Sequence, residues 1–328
     1  MRSTIPLVSL VAIAACGRPA PETTASSPDT PPAPPSTELA ALVGDYAVDG
    51  DTLSVREEAG RLEAVRWRDS LTAQPIDPSA VEPGPEGRGL WARVQERTYA
   101  RIALGPAEGN VFRITPRRPV DELRRNALAA KPPEETGEFL PTDLVELVTL
   151  DSTIKLDIRY ASTDNFMSEV FYSSPRAFLQ RAAAEALVRA HQKLAAKGYG
   201  LLIHDGYRPW YVTRMFWDAT PDSLRLFVAD PSQGSRHNRG AAVDLTMYER
   251  STGQPVEMPG VYDEMSPRSF PYYPGGTSRQ RWHRELLRQA MEAEGFTVFP
   301  AEWWHFDYGE WRRYRVGNQR FEEIHSSH

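Results

Sequence analysis

Two short runs concentrate the side chains that could do chemistry: Ser235-Arg-His237-Asn-Arg-Gly240-Ala-Ala-Val-Asp244 and Glu302-Trp-Trp-His305. Between them they offer two imidazoles, two carboxylates, a hydroxyl and a glycine. Mononuclear zinc hydrolysis needs such a set: three protein ligands, an open coordination position, and a carboxylate left over as a base. The single cysteine, Cys16, excludes an intramolecular disulfide and a thiolate metal site, so any metal must be held by His, Asp or Glu.

Seven histidines make a short census. His325 and His328 lie in the terminal tail. His191 falls on the apolar side of a predicted helix and reads as a packed core residue. His283 lies in Arg279-Gln-Arg-Trp-His-Arg-Glu285, a charged helix face. His204 precedes a turn and is a weaker ligand candidate. His237 and His305 remain.

His237 and Asp244 are seven apart, which on one unbroken strand would place them on opposite faces. They converge if His237 sits on a loop, Asp244 on a strand, and Gly240 turns the chain between them at positive φ or with close backbone approach. The alternative is a turn-capping Asp244 with a surface His237. In the aromatic run after Glu302, strand parity separates Glu302 from His305. His305 then ligates from a strand, and Glu302 reaches over the open metal face from the turn after Pro300. Arg208, in Asp205-Gly-Tyr-Arg-Pro209 at the end of a buried run, could stabilise an oxyanion beside the metal. Its alternative is a structural pairing with a local carboxylate.

These residues need a scaffold. Ser174-Pro175 predicts a helix start and Gly198 its end. Gly200–His204 and Ala241–Met247 read as strands, Thr277 or Ser278 to Glu294 as a helix, and Trp303–Tyr308 as a final strand. Helices and strands segregate, so residues 142–328 predict an α+β domain with a mixed or antiparallel sheet. Residues 38–118 predict a small all-β domain. Its signals are a hairpin at Asp49-Gly50-Asp51 and short alternating runs at Arg61–Trp67, Trp91–Val94, Tyr99–Leu104 and Asn110–Ile114. No cluster of chemistry-bearing residues marks this domain, which reads as a packing or docking module. Residues 119–141, with a short helical stretch at Val120–Ala130, read as the linker.

At the N-terminus, Arg2, the apolar run Ile5–Ala15 and the small residues before Cys16 predict a signal peptide over residues 1–15. Ile13-Ala-Ala-Cys16 resembles a bacterial lipobox, which implies lipidation of Cys16 and membrane attachment. Gly17 in place of an acidic residue points to the outer membrane of a two-membrane host. Residues 16–37, rich in Pro, Ser and Thr, read as a disordered tether. A net charge of -6 argues against nucleic acid.

The pattern Ser-x-His-x-x-Gly-x-Ala-x-Asp followed by Glu-x-Trp-His resembles the M15 zinc peptidases, in their D-alanyl-D-alanine dipeptidase branch. Tyr160–Phe166, Gly198–Leu202 and Asp205–Pro209 support the resemblance, which spans about residues 145–310. It implies the hedgehog/D,D-peptidase fold and one zinc ion on His237, Asp244 and His305. It further implies Glu302 as base and later acid, and Arg208 as transition-state stabiliser. Ser235, Tyr160 and Asp263 are implied as dipeptide contacts, with Asp263 receiving the substrate's free amino group. The β domain and the anchor depart from the family's minimal members, and the Arg208–His237 segment is shorter than in the resistance enzymes.

The expectation is therefore an envelope lipoprotein, on the periplasmic face of the outer membrane, that hydrolyses D-alanyl-D-alanine. The alternatives are a D,D- or L,D-carboxypeptidase on peptidoglycan stem peptides and a non-catalytic wall-binding lipoprotein.

Overall fold

The computed structural model describes residues 30–66, 73–84, 89–102 and 111–324. Cys16 and the expected signal peptide, most of the tether, Trp67, Ala103–Asn110, His325 and His328 lie outside the described residues.

The N-terminal part opens with a short helix, α1 (Thr37–Leu42), capped by the Ser36 hydroxyl. Seven antiparallel strands follow: β1 (Gly44–Val48), β2 (Asp51–Glu58), β3 (Arg61–Arg66), β4 (Gln74–Ile76), β5 (Val81–Pro83), β6 (Leu90–Val94) and β7 (Arg97–Arg101), in the sheet order β4-β3-β2-β1-β7-β6-β5. Asp49 and Gly50 both have positive φ, 47° and 77°, as a tight two-residue hairpin demands. Tyr46, Leu53, Val55, Leu62 and Tyr99 build a separate small core. Two expectations need correction. Val111–Ile114 forms no strand; Ile114 instead donates its N–H to the Phe166 carbonyl in the larger domain. The end of the expected tether is tied down, with the Pro32 carbonyl accepting from Arg279.

The segment read as a linker carries α2 (Val120–Ala129), whose Leu123 and Ala127 are buried in the larger core. β8 (Leu144–Glu146), α3 (Leu147–Leu150), β9 (Lys155–Leu156), β10 (Phe178–Gln180), α4 (Arg181–Ala195), β11 (Tyr199–Asp205), α5 (Trp210–Ala219), β12 (Ala242–Glu249), α6 (Ser278–Glu292), β13 (Phe296–Phe299) and β14 (Glu302–Tyr308) complete the chain. The helix expected from Ser174 begins only at Arg181, because Phe178–Gln180 pairs as a strand with Leu144–Glu146. β13-β14-β12-β11-β9 form one sheet, antiparallel except where β9 runs parallel to β11. The α+β class with a mixed sheet is thus observed. β11 is buried along its whole length, as expected of a strand covered on both faces. α6 carries a full capping box between Thr277 and Gln280. Among the described residues no helix is long and apolar enough to cross a membrane.

Gly240 ends the 3-10 turn His237–Arg239 at φ 64°. A Cβ there would also lie 2.6 Å from Leu144 Cδ2 and 3.4 Å from the Gln180 amide. The left-handed conformation disfavours a side chain, and the Leu144 side chain would have to shift to admit one. Gly240→Ala should therefore destabilise the domain by about 1–3 kcal/mol in thermal unfolding. An unchanged melting temperature would refute this.

Candidate active site

The sheet places the site on one rung. Asp205 at the end of β11 faces Asp244 on β12, and Asp244 faces His305 on β14. Directly opposed residues present their side chains on the same face. His237 joins them from the turn before β12, held by Arg208 N–H to the His237 carbonyl at 3.1 Å. The expectation of a loop-borne His237, a strand-borne Asp244 and a turning Gly240 describes the observed path.

His237, Asp244 and His305 form a buried cluster of potential metal ligands. His237 Nδ1 lies 2.8 Å from the Gly206 carbonyl oxygen, an acceptor only, so Nδ1 carries the proton and Nε2 is left free. His305 Nε2 lies 2.9 Å from Asp307 Oδ1, so Nε2 donates there and Nδ1 is left free. The two free nitrogens are 3.0 Å apart. Asp244 Oδ1 lies 3.2 Å from His237 Nε2 and 3.1 Å from His305 Nδ1. This oxygen is buried without a hydrogen-bond partner, while Oδ2 accepts from Tyr262 at 3.1 Å. Three lone pairs so close repel one another unless a cation lies between them. Tetrahedral zinc with bonds of about 2.0 Å sets donor–donor edges of about 3.3 Å. The residues present fit a zinc ion.

The electrostatics follow from burial. Burial disfavours a charged His305, but the carboxylates of Asp307 and Asp244 outweigh it and lift the imidazole to about 10. In the metal-free protein a proton therefore occupies the cluster at neutral pH, and a bound dication replaces it. Glu302 Oε2 is 3.6 Å from His305 Nδ1. Burial pushes Glu302 up to about 7, against the pull of His305 and with the help of Asp244. Its position differs from expectation. Glu302 is the first residue of β14, not part of the turn. The register breaks between the Val298↔Phe306 and Phe299↔Glu302 pairs, and that break cancels the parity which would have kept Glu302 and His305 apart.

Arg208 donates from Nε to Asp205 Oδ2 at 2.8 Å and from Nη2 to Asp244 Oδ2 at 3.4 Å. Its guanidinium lies over Tyr160 and Phe216, at 5.2 and 5.0 Å from the ring centres. These contacts match the structural reading of Arg208, and the same side chain also lines the pocket. Asp263 adopts φ 61° and accepts from the Tyr160 hydroxyl at 3.0 and 2.8 Å. Part of its surface stays open to the pocket, yet burial and then Asp244 push its carboxyl well above the usual range. Ser235 lines the same pocket, and its Oγ accepts from the His237 amide at 3.2 Å.

The remaining histidines stand apart. His204 stacks on Tyr262 and approaches Asp157 Oδ2 at 3.4 Å. His191 is packed in the core, accepting from the Leu201 amide at 3.0 Å. The charged-face reading of His283 needs correction: it is buried, 3.3 Å from the Tyr199 hydroxyl.

Sequence reasoning missed three functional neighbours. Asp205 is fully buried and accepts from Tyr172, the Gly206 amide and Arg208. Asp307 orients His305; its signal was the two-residue strand period. Tyr262 orients Asp244, and nothing local in the sequence marks it.

Residues 141–327 match the M15 peptidase family, described as D-ala-D-ala dipeptidase. The chain is 34% identical over 166 residues to the D-alanyl-D-alanine dipeptidase of Escherichia coli K12, covering 51% of this chain and 84% of that protein. It is 35% identical over 189 residues to the D-alanyl-D-alanine dipeptidase of Streptomyces coelicolor, covering 52% and 91%. A solved LD-carboxypeptidase, LdcB, overlays with a TM-score of 0.30 at 18% identity, over 66% of this chain and 89% of that one.

Asp307 fixes the tautomer and orientation of His305. Asp307→Ala should weaken zinc binding about 10–100-fold in competition with a chelating dye, with the fold retained by circular dichroism. Wild-type affinity would sink this role.

Proposed function

The chain belongs to the M15 peptidase family and is a metallopeptidase, and from that premise we propose that it hydrolyses D-alanyl-D-alanine with one zinc ion. The observation that carries this reading is the orphaned Asp244 Oδ1 facing two free imidazole nitrogens, with Glu302 and Asp263 on the walls of the same pocket. His237, Asp244 and His305 would hold the metal. When bound, zinc supplies Lewis acidity and brings the pKa of a water to about 7.

Glu302 stands beside the cluster, placed to accept the proton of the attacking water and return it to the departing amine. Arg208 keeps further N–H groups beyond the two that bind Asp205 and Asp244, and these can meet the negative charge that develops on the carbonyl oxygen. Asp205 and the two aromatic rings fix the guanidinium before substrate arrives, so little reorganisation is needed.

Asp263 supplies the selectivity. A carboxyl raised by burial gains from an ammonium partner, because the ion pair offsets the desolvation of both groups. Tyr160 holds it at both oxygens. A free dipeptide brings that ammonium; an acylated or longer chain does not. A D,D- or L,D-carboxypeptidase acting on stem peptides would need no such ammonium and is the second reading. Family membership in a peptidase group weighs against the non-catalytic alternative.

We further place the enzyme in the bacterial envelope, lipidated at Cys16 and facing the periplasm, where it would receive dipeptides released by wall turnover. The lipobox-like sequence before Cys16 supports this.

Glu302→Gln should lower kcat at least about 10²-fold while zinc content stays at one per chain. Near-wild-type turnover would exclude Glu302 as the base. Acetylating the substrate's amino group should abolish measurable hydrolysis if Asp263 binds the ammonium. Equal rates on D-alanyl-D-alanine and its N-acetyl form would favour the carboxypeptidase instead.

A further inference from the structure

The N-terminal sheet lies outside the family match, which begins at residue 141. It nevertheless grips one particular part of the catalytic domain. Asp45 on β1 accepts hydrogen bonds from Ser54 of β2 at 2.5 Å and from Tyr273 at 2.7 Å. Glu57 on β2 is 1% exposed. Its Oε2 accepts from both the amide and the hydroxyl of Ser278, each at 2.9 Å, and its own amide donates to the Gly276 carbonyl at 3.2 Å. Arg281 closes the contact by donating to the Glu57 carbonyl at 2.9 Å and to Glu58 at 2.6 Å.

Tyr273, Gly276 and Ser278 end the loop that runs from β12 to α6. The same loop carries Asp263, Glu264 and Met265, which line the pocket. Between the two points the loop is stapled internally. Glu264 accepts from the Val261 amide, from Ser266 and from Arg268. Ser269 donates to the Glu264 carbonyl. A displacement at Tyr273 is therefore passed to Asp263 through a short, cross-linked segment. Asp263 itself sits at positive φ, a conformation that an unsupported Asp would leave readily. The Glu57 carboxylate at the first turn of α6 also complements that helix's dipole from another domain.

We infer that the N-terminal sheet is a positioning element for the substrate pocket, with Asp45 and Glu57 holding the Tyr273–Ser278 end of the loop that presents Asp263. The reading of Asp263 as the ammonium partner rests on the function proposed above; the mechanical coupling does not. Asp45, Glu57 and Tyr273 are positioning residues and touch no substrate.

The test uses the full zinc-loaded chain with Tyr273→Phe, Asp45→Asn and, as a control, Arg93→Gln. Arg93 pairs with Glu82 on exposed surface elsewhere in the sheet. Tyr273→Phe and Asp45→Asn should raise KM for D-alanyl-D-alanine about fivefold or more, with kcat within about twofold and zinc content unchanged. Hydrogen exchange should accelerate in residues 256–276 and stay unchanged in α4 and β11. The control should match wild type in both measurements. Unchanged KM and unchanged exchange would overturn the inference. So would exchange rising throughout the domain with KM constant, because that is general destabilisation. If the wild type does not hydrolyse D-alanyl-D-alanine at all, the dipeptidase reading fails, and the exchange measurement alone decides the positioning role.

Discussion

Three lone pairs held within about 3 Å of one another in a buried site repel, and much of the catalytic domain is arranged around that repulsion. Without a metal, the proton held on His305 relieves part of it, and each donor is also fixed from behind. Gly206 holds His237, Asp307 holds His305, and Tyr262 with Arg208 holds Asp244. Such outer contacts leave one atom of each ligand pointing inward. A dication relieves the repulsion, so metal affinity and local stability are one quantity seen from two sides.

The same crowding sets the charge balance around the cluster. Asp205, Asp244, Asp263, Glu302 and Asp307 are five carboxyls in one region, with Arg208 bound to Asp205 and Asp244 and Arg236 3.4 Å from Asp307. Their surroundings shift them in different directions. Asp244 is held well below the usual carboxylate range: burial opposes the charge, but the two histidines outweigh it. Asp263 moves the opposite way because burial and the neighbouring Asp244 both disfavour its charge. Similar side chains thus diverge through their surroundings, one held charged between two histidines among the potential metal ligands, one raised beside the Tyr160 hydroxyl.

How much was legible in the sequence depended on whether a contact is local. The path from His237 through Gly240 to Asp244 could be read because turn chemistry and strand parity act over a few residues. Glu302 was expected to reach the histidine cluster from the turn after Pro300, and it reaches it by another route. Parity would have separated it from His305, whereas a register break in the β13–β14 pairing brings the two side chains to 3.6 Å. The helix start at Ser174-Pro175 failed because a distant strand, Leu144–Glu146, recruits Phe178–Gln180. Pairing overrode a good local capping signal. Asp205 and Tyr262 were invisible for a related reason. Their roles exist only once β11 lies beside β12 and the β12–α6 loop folds back over Asp244.

The contact between the N-terminal sheet and the β12–α6 loop is the extreme case of non-local information. Glu57 and Ser278 are 221 residues apart, and neither has any local signature of partnership. Their bond nevertheless joins a buried Glu57 carboxyl to a half-buried serine, and a buried acceptor is costly to leave without its donor. Arg281 adds to the cost. It is largely buried, and desolvation lowers its pKa while Glu58 resists. An interface built on buried polar groups gains little from approximate docking, because each misaligned donor is left without water or partner. It favours a single orientation of the sheet against α6. A sheet set apart from the pocket can in this way bear on its shape, by fixing the far end of a loop whose near end lines that pocket.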